Sequence, residues 1–224
     1  LTLGLSGCVI IPIMPPSQDL REVTVRPGKG LAPKKILLMD IEGTIRSQGG
    51  GGFFGGPGML ADLDEQLKHA AQDHSIKAIV LRVNSPGGGV TATDMIYKRF
   101  IKFREETDIP IYVAMMDMAA SGGYYISMAA DKIYATPTSL TGSIGVIAFF
   151  PEGEGLMSKI GVRVEAVKSG ASKDAGSLFR RMTAEERQLF EGIINSMFER
   201  FLEAVEQGRP ALAPEKIREL ADGR

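Results

Sequence analysis

Short apolar runs alternate with amphipathic stretches along most of the chain. Apolar residues recur at helical spacing over residues 59–73, and polar residues open a second predicted helix over residues 91–107. The mainly apolar runs have the length of buried strands. These runs cover residues 35–41, 76–83, 109–116 and 131–135. Strands that alternate with helices predict an α/β fold with largely parallel strand pairing.

The pattern continues with shorter elements after residue 135. Residues 139–147 are strand-like, and residues 162–167 alternate between apolar and polar positions, which predicts another strand. A short helix is predicted over residues 155–160. The small and polar residues 168–176 are typical of a loop.

A capping box marks the start of the longest predicted helix. Thr183 is followed three residues later by Glu186, and apolar pairs then recur at helical spacing as far as Val205. Gly208 has the position of a C′ residue, and a proline follows it. One more short helix is predicted over residues 214–220.

Composition and proline–glycine punctuation divide the 224-residue chain into an N-terminal anchor (1–14), a flexible tether (15–34) and a folded domain (35–224). With 44% hydrophobic residues, the domain can bury one sizeable core. Lys and Arg (26) nearly balance Asp and Glu (27), and no basic stripe stands out. This charge distribution disfavours nucleic acid as a partner.

The single cysteine, Cys8, follows an apolar stretch that ends in small residues. One cysteine excludes an internal disulfide framework. Leu-Ser-Gly-Cys at residues 5–8 resembles the bacterial lipobox, in which the signal is cut before a cysteine that is then lipidated. The alternative is a buried cysteine in a short apolar strand, which the three prolines that follow disfavour. Residues 1–14 are too short to span a bilayer alone, and an upstream part of the signal is expected to be missing.

A glycine-rich stretch interrupts the domain at residues 47–58, SQGGGGFFGGPG. Glycine at this density is incompatible with a helix or a stable strand. The stretch is predicted to be a disordered insert. The alternative is a loop whose Phe53–Phe54 pair touches membrane or substrate.

The strand over residues 109–116 leads into a turn of small residues, 119–123, and an apolar stretch with helical character follows. Such a turn exposes one hydroxyl, that of Ser121, beside the backbone N–H groups at a helix start. A serine nucleophile needs this environment, since the amides can stabilise an oxyanion. The alternative is a helix N-cap serine followed by glycines that permit close packing.

A second strand ends in a similar turn, Asn84-Ser85-Pro86-Gly87-Gly88-Gly89. In parallel α/β sheets such turns meet at the carboxyl edge, where sites form. One turn could supply an oxyanion donor, Gly87 or Gly88, and the other turn the nucleophile with the Gly122 amide. Neither turn has the lysine and hydroxyl pattern of a P-loop.

A serine nucleophile also needs a base. His69 and His74 precede both turns, on or beside a predicted surface helix, so they are poor candidates. Lys168 and Lys173 lie in the loop after residue 167, and each could equally be a solvated lysine. A lysine acts as a base only if its surroundings keep it neutral, so we expect the neighbouring Asp174 carboxylate to point away.

Several motifs together resemble the bacterial signal peptide peptidase A family of serine peptidases. The resemblance runs in order from about residue 35 to residue 224. The motifs are residues 84–88 (NSPGG), 117–125 (DMAASGGYY), 140–146 (LTGSIGV), 168–176 (KSGASKDAG), 179–186 and 221–224 (ADGR).

This resemblance implies the Clp-protease/crotonase-like fold and a Ser–Lys dyad. By motif, Ser121 is the nucleophile, Lys173 is the general base because it immediately precedes Asp-Ala-Gly, and Ser143 orients the lysine. The chain departs from the family pattern at Gly89 and Ala171, and the family continues beyond ADGR, so a C-terminal part is also expected to be missing. None of these departures affects the dyad.

The sequence therefore predicts a membrane-anchored, extracytoplasmic serine endopeptidase of the bacterial cell envelope that needs no metal or cofactor. Its substrates would be hydrophobic peptides such as signal-peptide remnants, held in a groove lined by Tyr124, Tyr125 and Met128. The resemblance also implies a homo-oligomeric ring. The alternatives are a crotonase-type acyl-CoA enzyme and a catalytically inactive membrane scaffold on the same fold.

We predict that Cys8 is lipidated. In bacteria expressing the full precursor, labelled fatty acid should enter the protein, and Cys8→Ser should abolish the labelling because the acceptor thiol is lost. Undiminished labelling of Cys8→Ser would contradict the lipobox assignment.

Overall fold

The computed structural model describes residues 22–28, 34–47 and 58–224. The expectations for Cys8, for most of the tether and for Phe53–Phe54 fall outside these ranges. The elements in chain order are β1 (Lys35–Glu42), α1 (Met59–Gln72), β2 (Ile76–Ser85), α2 (Val90–Thr107), β3 (Ile111–Ala120), α3 (Gly122–Ser127), β4 (Lys132–Ala135), β5 (Leu140–Gly142), α4 (Glu154–Lys159), α5 (Ala184–Gly208) and α6 (Pro214–Leu220).

The strands form a five-stranded parallel sheet in the order β1-β2-β3-β4, and β5 pairs with the last residues of β3 beyond β4. The last aligned pairs are Glu42 with Asn84 between β1 and β2, and Ser85 with Ala119 between β2 and β3. All pairs are parallel, which confirms the predicted α/β fold. The carboxyl ends of β2, β3 and β5 therefore meet at one edge of the sheet.

The main core lies between the sheet and α1, α2 and α3. Buried residues alternate along β1 and recur at helical spacing along α2, as their hydrophobic patterns predict. Core side chains include Met39, Ile41, Leu63, Leu81, Val83, Ile96, Phe100, Ile111 and Val113.

The C-terminal half of α5 covers α3, and Phe201, Leu202 and Val205 are buried there. Gly208, expected just beyond this helix, is instead its last residue. A Cβ at Gly208 would lie 2.6 Å from the Met128 carbonyl oxygen. Close packing against the end of α3, rather than helix termination, explains this glycine.

The predicted strand over residues 162–167 is wrong, and the one over 139–147 shrinks to Leu140–Gly142. No neighbouring strand within the described residues pairs with 162–167, and Val164 and Val167 are 49% and 98% exposed. No residue from Gly145 to Glu185 is buried, and we call this segment the arm. The alternating apolar side chains of residues 162–167 therefore have no packing partner within the described chain.

The predicted capping box is confirmed at the end of the arm. The Thr183 hydroxyl accepts a hydrogen bond from the Glu186 amide (3.2 Å), and the Glu186 carboxylate accepts one from the Thr183 amide (3.0 Å). This reciprocal pair fixes the start of α5.

Among the helices in the described ranges, none has the length and apolar character that crossing a bilayer would take.

Candidate active site

Ser121 occupies a strained elbow between β3 and α3. Its backbone has φ 50° and ψ −117°, which a residue with a side chain adopts only when its surroundings impose it. The Ser121 amide donates to the Gly142 carbonyl, and its carbonyl accepts from the Tyr125 amide, both at 2.9 Å. These bonds hold the serine at the carboxyl end of β3.

The glycine turn after β2 lies directly against this elbow. Gly87 has φ +94°, and a Cβ at Gly87 would lie 2.8 Å from the Ser121 Cβ and 2.6 Å from the Gly122 nitrogen. The two turns that the sequence singled out are therefore in contact, and their amides share one edge of the sheet.

The amides of this turn have different hydrogen-bond partners. The Gly87 amide donates to the hydroxyl of buried Ser85 (3.1 Å), and that hydroxyl donates to the Gly43 carbonyl (2.6 Å). The Gly88 and Gly122 amides have no acceptor among the described residues. Gly88 and Gly122 are thus the available donors, whereas Gly87 helps to hold the turn.

Ser85 is a supporting residue to which the sequence analysis gave no separate role. The available signal was a serine at the end of an otherwise apolar strand. Thr93, which begins the second turn of α2, was also missed. Its hydroxyl is buried without a partner among the described residues, and a Cβ at Gly122 would lie 2.6 Å from it.

Ser143 lies beside the elbow because β5 pairs Gly142 with Ala120. Ser143 has φ 51°, and its amide donates to the carbonyl of Arg224. The structure therefore brings Ser121, the glycine turn and Ser143 together at one edge.

The two candidate lysines differ in their contacts. Lys168 donates to the Asp174 carboxylate and to the Ala171 carbonyl (2.9 Å). Lys173 is exposed in the arm, and its side chain makes no hydrogen bond or ion pair with any described residue. The Ser121 hydroxyl likewise has no partner in the described part of the chain, so the two side chains of the expected dyad are not hydrogen-bonded within this chain.

The Asp174 carboxylate, next to Lys173 in sequence, binds Arg180 (2.9 Å) and Lys168 instead. The hydrogen bond from Arg180, followed by the one from Lys168, holds the pKa of this carboxyl well below its usual range. Its charge is already paired without Lys173.

Two of the three side chains expected to line a peptide groove are buried. Tyr125 and Met128 are buried in the core, and only Tyr124 is partly exposed. The Tyr125 hydroxyl donates to Asp94 (2.8 Å), and burial together with this bond raises the pKa of Tyr125. These two residues face the core because α3 packs them against α2 and α5, so the expected groove lining is wrong for Tyr125 and Met128.

The histidines lie at the opposite edge of the sheet from Ser121. His69 contacts Glu22 (3.0 Å), which also binds Lys35 at the start of β1, and His74 precedes the start of β2. Glu22, His69 and Asp73 could together offer metal ligands. The Lys35 ammonium, however, binds both carboxylates, at 2.7 and 2.8 Å.

Comparisons with known proteins agree with this architecture. The chain matches the Clp protease family model over residues 58–141 and the model described as Peptidase family S49 over residues 103–224. It is 38% identical to a candidate signal peptide peptidase SppA of Enterococcus faecium over 93% of this chain and 60% of that protein. It is 36% identical to Protease 4 of Haemophilus influenzae over 85% of this chain and 30% of that protein. The chain thus spans less than two thirds of the length of both relatives.

The parallel sheet with flanking helices and the match to residues 58–141 define a Clp-protease-like α/β domain. The match over residues 103–224 begins near the end of α2 and includes the elbow, Ser143 and the arm. The chain belongs to peptidase family S49.

Gly88→Ala should damage this site, because the new Cβ would lie 2.2 Å from the Ile45 carbonyl oxygen. We expect a loss of roughly 1–3 kcal/mol in the free energy of unfolding, measured with urea. The rate at which a fluorophosphonate labels Ser121 should fall by at least about tenfold, since the Gly88 amide, the expected oxyanion donor, would move.

Gly89→Ala is the matched control, because the nearest atom to its Cβ would be 3.8 Å away. It replaces an N-cap glycine with extended backbone and should cost no more than about 1 kcal/mol. Equal labelling rates for Gly88→Ala and the parent protein would contradict the assignment of Gly88.

Proposed function

We propose that the protein is a serine endopeptidase that hydrolyses hydrophobic peptides through a Ser–Lys dyad. The observation that carries this proposal is the strained Ser121 elbow, which lies against a glycine turn whose Gly88 amide has no acceptor among the described residues. Membership of peptidase family S49 supports the same reaction.

In the proposed mechanism, the Ser121 hydroxyl attacks the carbonyl carbon of the scissile bond. The amides of Gly88 and Gly122 donate to the oxyanion that forms. Lys173 takes the serine proton and returns it to the leaving amine, and Ser143 orients the lysine. Water then hydrolyses the acyl-enzyme by the same route. No step uses a metal or cofactor.

The contacts of the two lysines favour Lys173 as the base. Lys168 is already bound to the Asp174 carboxylate and to the Ala171 carbonyl, so its amine is engaged. The Lys173 amine has no such partner among the described residues, so it remains available to a serine hydroxyl.

We further propose that a second copy of the chain completes the site in a homo-oligomeric ring. Lys173 lies in the arm, where no residue is buried. On α5, Leu189, Ile193 and Met197 form an apolar stripe with exposed fractions of 48%, 43% and 36%. Packing of these surfaces between copies would bury apolar area and could carry Lys173 to a neighbouring Ser121.

The substrate and location are proposed from the relatives and from the N-terminus. The name of the Enterococcus relative refers to signal peptides, and remnants of these are hydrophobic peptides. Lipidation at Cys8 would hold the protein at the extracytoplasmic face of a bacterial membrane.

Lys173→Ala should lose peptide-hydrolysis activity as completely as Ser121→Ala, because proton transfer contributes roughly 10²–10⁴-fold and the dyad acts as a unit. Lys168→Ala should keep much of the parent kcat/KM. The kcat/KM of all three variants is measured with a fluorogenic hydrophobic peptide as substrate. The opposite ranking of the two lysine variants would refute the assignment.

The same variants test whether the dyad forms between copies. Ser121→Ala keeps the base and Lys173→Ala keeps the nucleophile. If they are dissociated and reassembled as an equal mixture, about a quarter of the sites should pair an intact serine with an intact lysine. Activity well above that of either variant alone is expected, whereas an inactive mixture that has assembled would place the dyad within one chain.

The pH profile should show no dependence on histidine. A lysine base acts only when neutral, so kcat/KM should rise with pH through one ionisation. Its midpoint should lie below the value of ~10.4 for free lysine, because packing of the arm against a second copy would shield the amine from water in the free enzyme. The double variant His69→Gln/His74→Gln should have the same midpoint. Loss of the ionisation with the histidines would exclude the Ser–Lys mechanism.

A further inference from the structure

An ion-pair network surrounds the carboxylate next to Lys173. The Arg180 guanidinium lies between two carboxylates, donating to Asp174 (2.9 Å) on one side and to Glu186 (2.9 Å) on the other. Lys168 donates to the second oxygen of Asp174. The Asp174 side chain is only 17% exposed, so the network encloses it.

The network connects the turn that carries Lys173 to helix α5. Glu186 is the acidic member of the capping box at the start of α5, and it accepts from the Thr183 amide. Arg180 also donates to the backbone carbonyl of Asp174 (3.3 Å). The backbone beside Lys173 is thereby connected through one guanidinium to the first turn of a 25-residue helix.

The charges of this network balance. Asp174 and Glu186 are anionic, and Lys168 and Arg180 are cationic, so the four side chains sum to zero. Removing the guanidinium alone would leave one excess negative charge beside Lys173. A nearby negative charge favours the ammonium form of a lysine, and a nearby positive charge favours the neutral amine.

We propose that Arg180 is a positioning residue that keeps the Asp174 carboxylate engaged and away from the Lys173 amine, so that the amine can accept the serine proton. This inference rests on the proposed role of Lys173 as the general base. It holds whether Lys173 serves the Ser121 of its own chain or that of a second copy, because the network lies in the chain that carries the lysine.

The charges of this network give opposite expectations for two variants. Arg180→Ala leaves Asp174 with Lys168 alone, and the midpoint of the kcat/KM pH profile should rise by roughly half to one pH unit. Asp174→Asn leaves a net positive charge, and the midpoint should fall by a similar amount. In the parent, the bonds from Arg180 and then Lys168 keep the pKa of Asp174 low. Without Arg180 the carboxyl is still ionised throughout the range measured, because even an unperturbed aspartate titrates near ~3.9.

The double variant Arg180→Ala/Asp174→Asn separates this role from a purely structural one. It removes one charge of each sign, so the midpoint should return close to that of the parent even though the ion pair is absent. The bonds from Arg180 to Glu186 and to the Asp174 carbonyl are lost in the double variant as they are in Arg180→Ala, so a purely structural role predicts no recovery. Arg218→Ala is the matched control, because it breaks a bidentate pair with Glu199 (2.8 and 2.7 Å) that joins α6 to α5, and it should leave the midpoint unchanged.

The pH profiles of these variants decide the inference. Opposite shifts in the single variants and recovery in the double variant support it. Unchanged midpoints in an enzyme that still depends on Lys173 would overturn it and leave the proposed function standing. Activity that survives Lys173→Ala would overturn both. If Arg180→Ala does not fold, Asp174→Asn decides, and an unshifted midpoint there overturns the inference.

Discussion

The contact between two backbone turns at the carboxyl edge of the sheet governs the geometry of the site. No side chain fits at Gly87 or Gly88, since a Cβ would lie 2.6 Å from the Gly122 nitrogen in the first case and 2.2 Å from the Ile45 oxygen in the second. The Ile45 amide also donates to the Gly87 carbonyl (2.9 Å), which fixes the turn from its other side. Because nothing separates the turns, their amides lie beside Ser121. A substitution that separates the two turns would move their amides away from the Ser121 hydroxyl, even if the rest of the fold stayed intact.

Packing beneath the elbow stabilises its strained backbone. A non-glycine residue in the conformation of Ser121 costs about 1–3 kcal/mol, and a helix as short as α3 is not stable by its own hydrogen bonds. Tyr125 connects this helix to the core. Its ring contacts those of Tyr97 and Phe201, with centroids 5.2 and 4.8 Å apart, and its hydroxyl donates to Asp94 (2.8 Å). Burying an aromatic side chain contributes about 1.5–3 kcal/mol, which is comparable to the strain, so α2 and α5 support the site from below.

Short-range patterns predicted most of the sheet and its helices because each pattern depends on neighbours within a few residues. The capping box at Thr183 and the turn around Ser121 belong to this class. Long-range packing was not predictable in the same way. Alternation over residues 162–167 gives a strand only if another strand accepts its hydrogen bonds, and none in the described chain does. The position of Tyr125 after the serine indicated proximity to the site, but not which face of α3 meets the core.

Under the proposed mechanism, the nucleophile lies in a well-packed part of the chain and the base in a part without buried residues. Ser121 belongs to the rigid sheet edge, whereas Lys173 belongs to the arm, which has no buried residue. A general base must come within hydrogen-bond reach of its proton, and a lysine amine is neutral near pH 7 only when it is shielded from water and kept away from anions. Packing of the arm against another surface would meet both requirements at once, because it would fix the lysine and remove its water. Assembly and activation of the base would then be a single step, and an isolated chain would carry a nucleophile without a base.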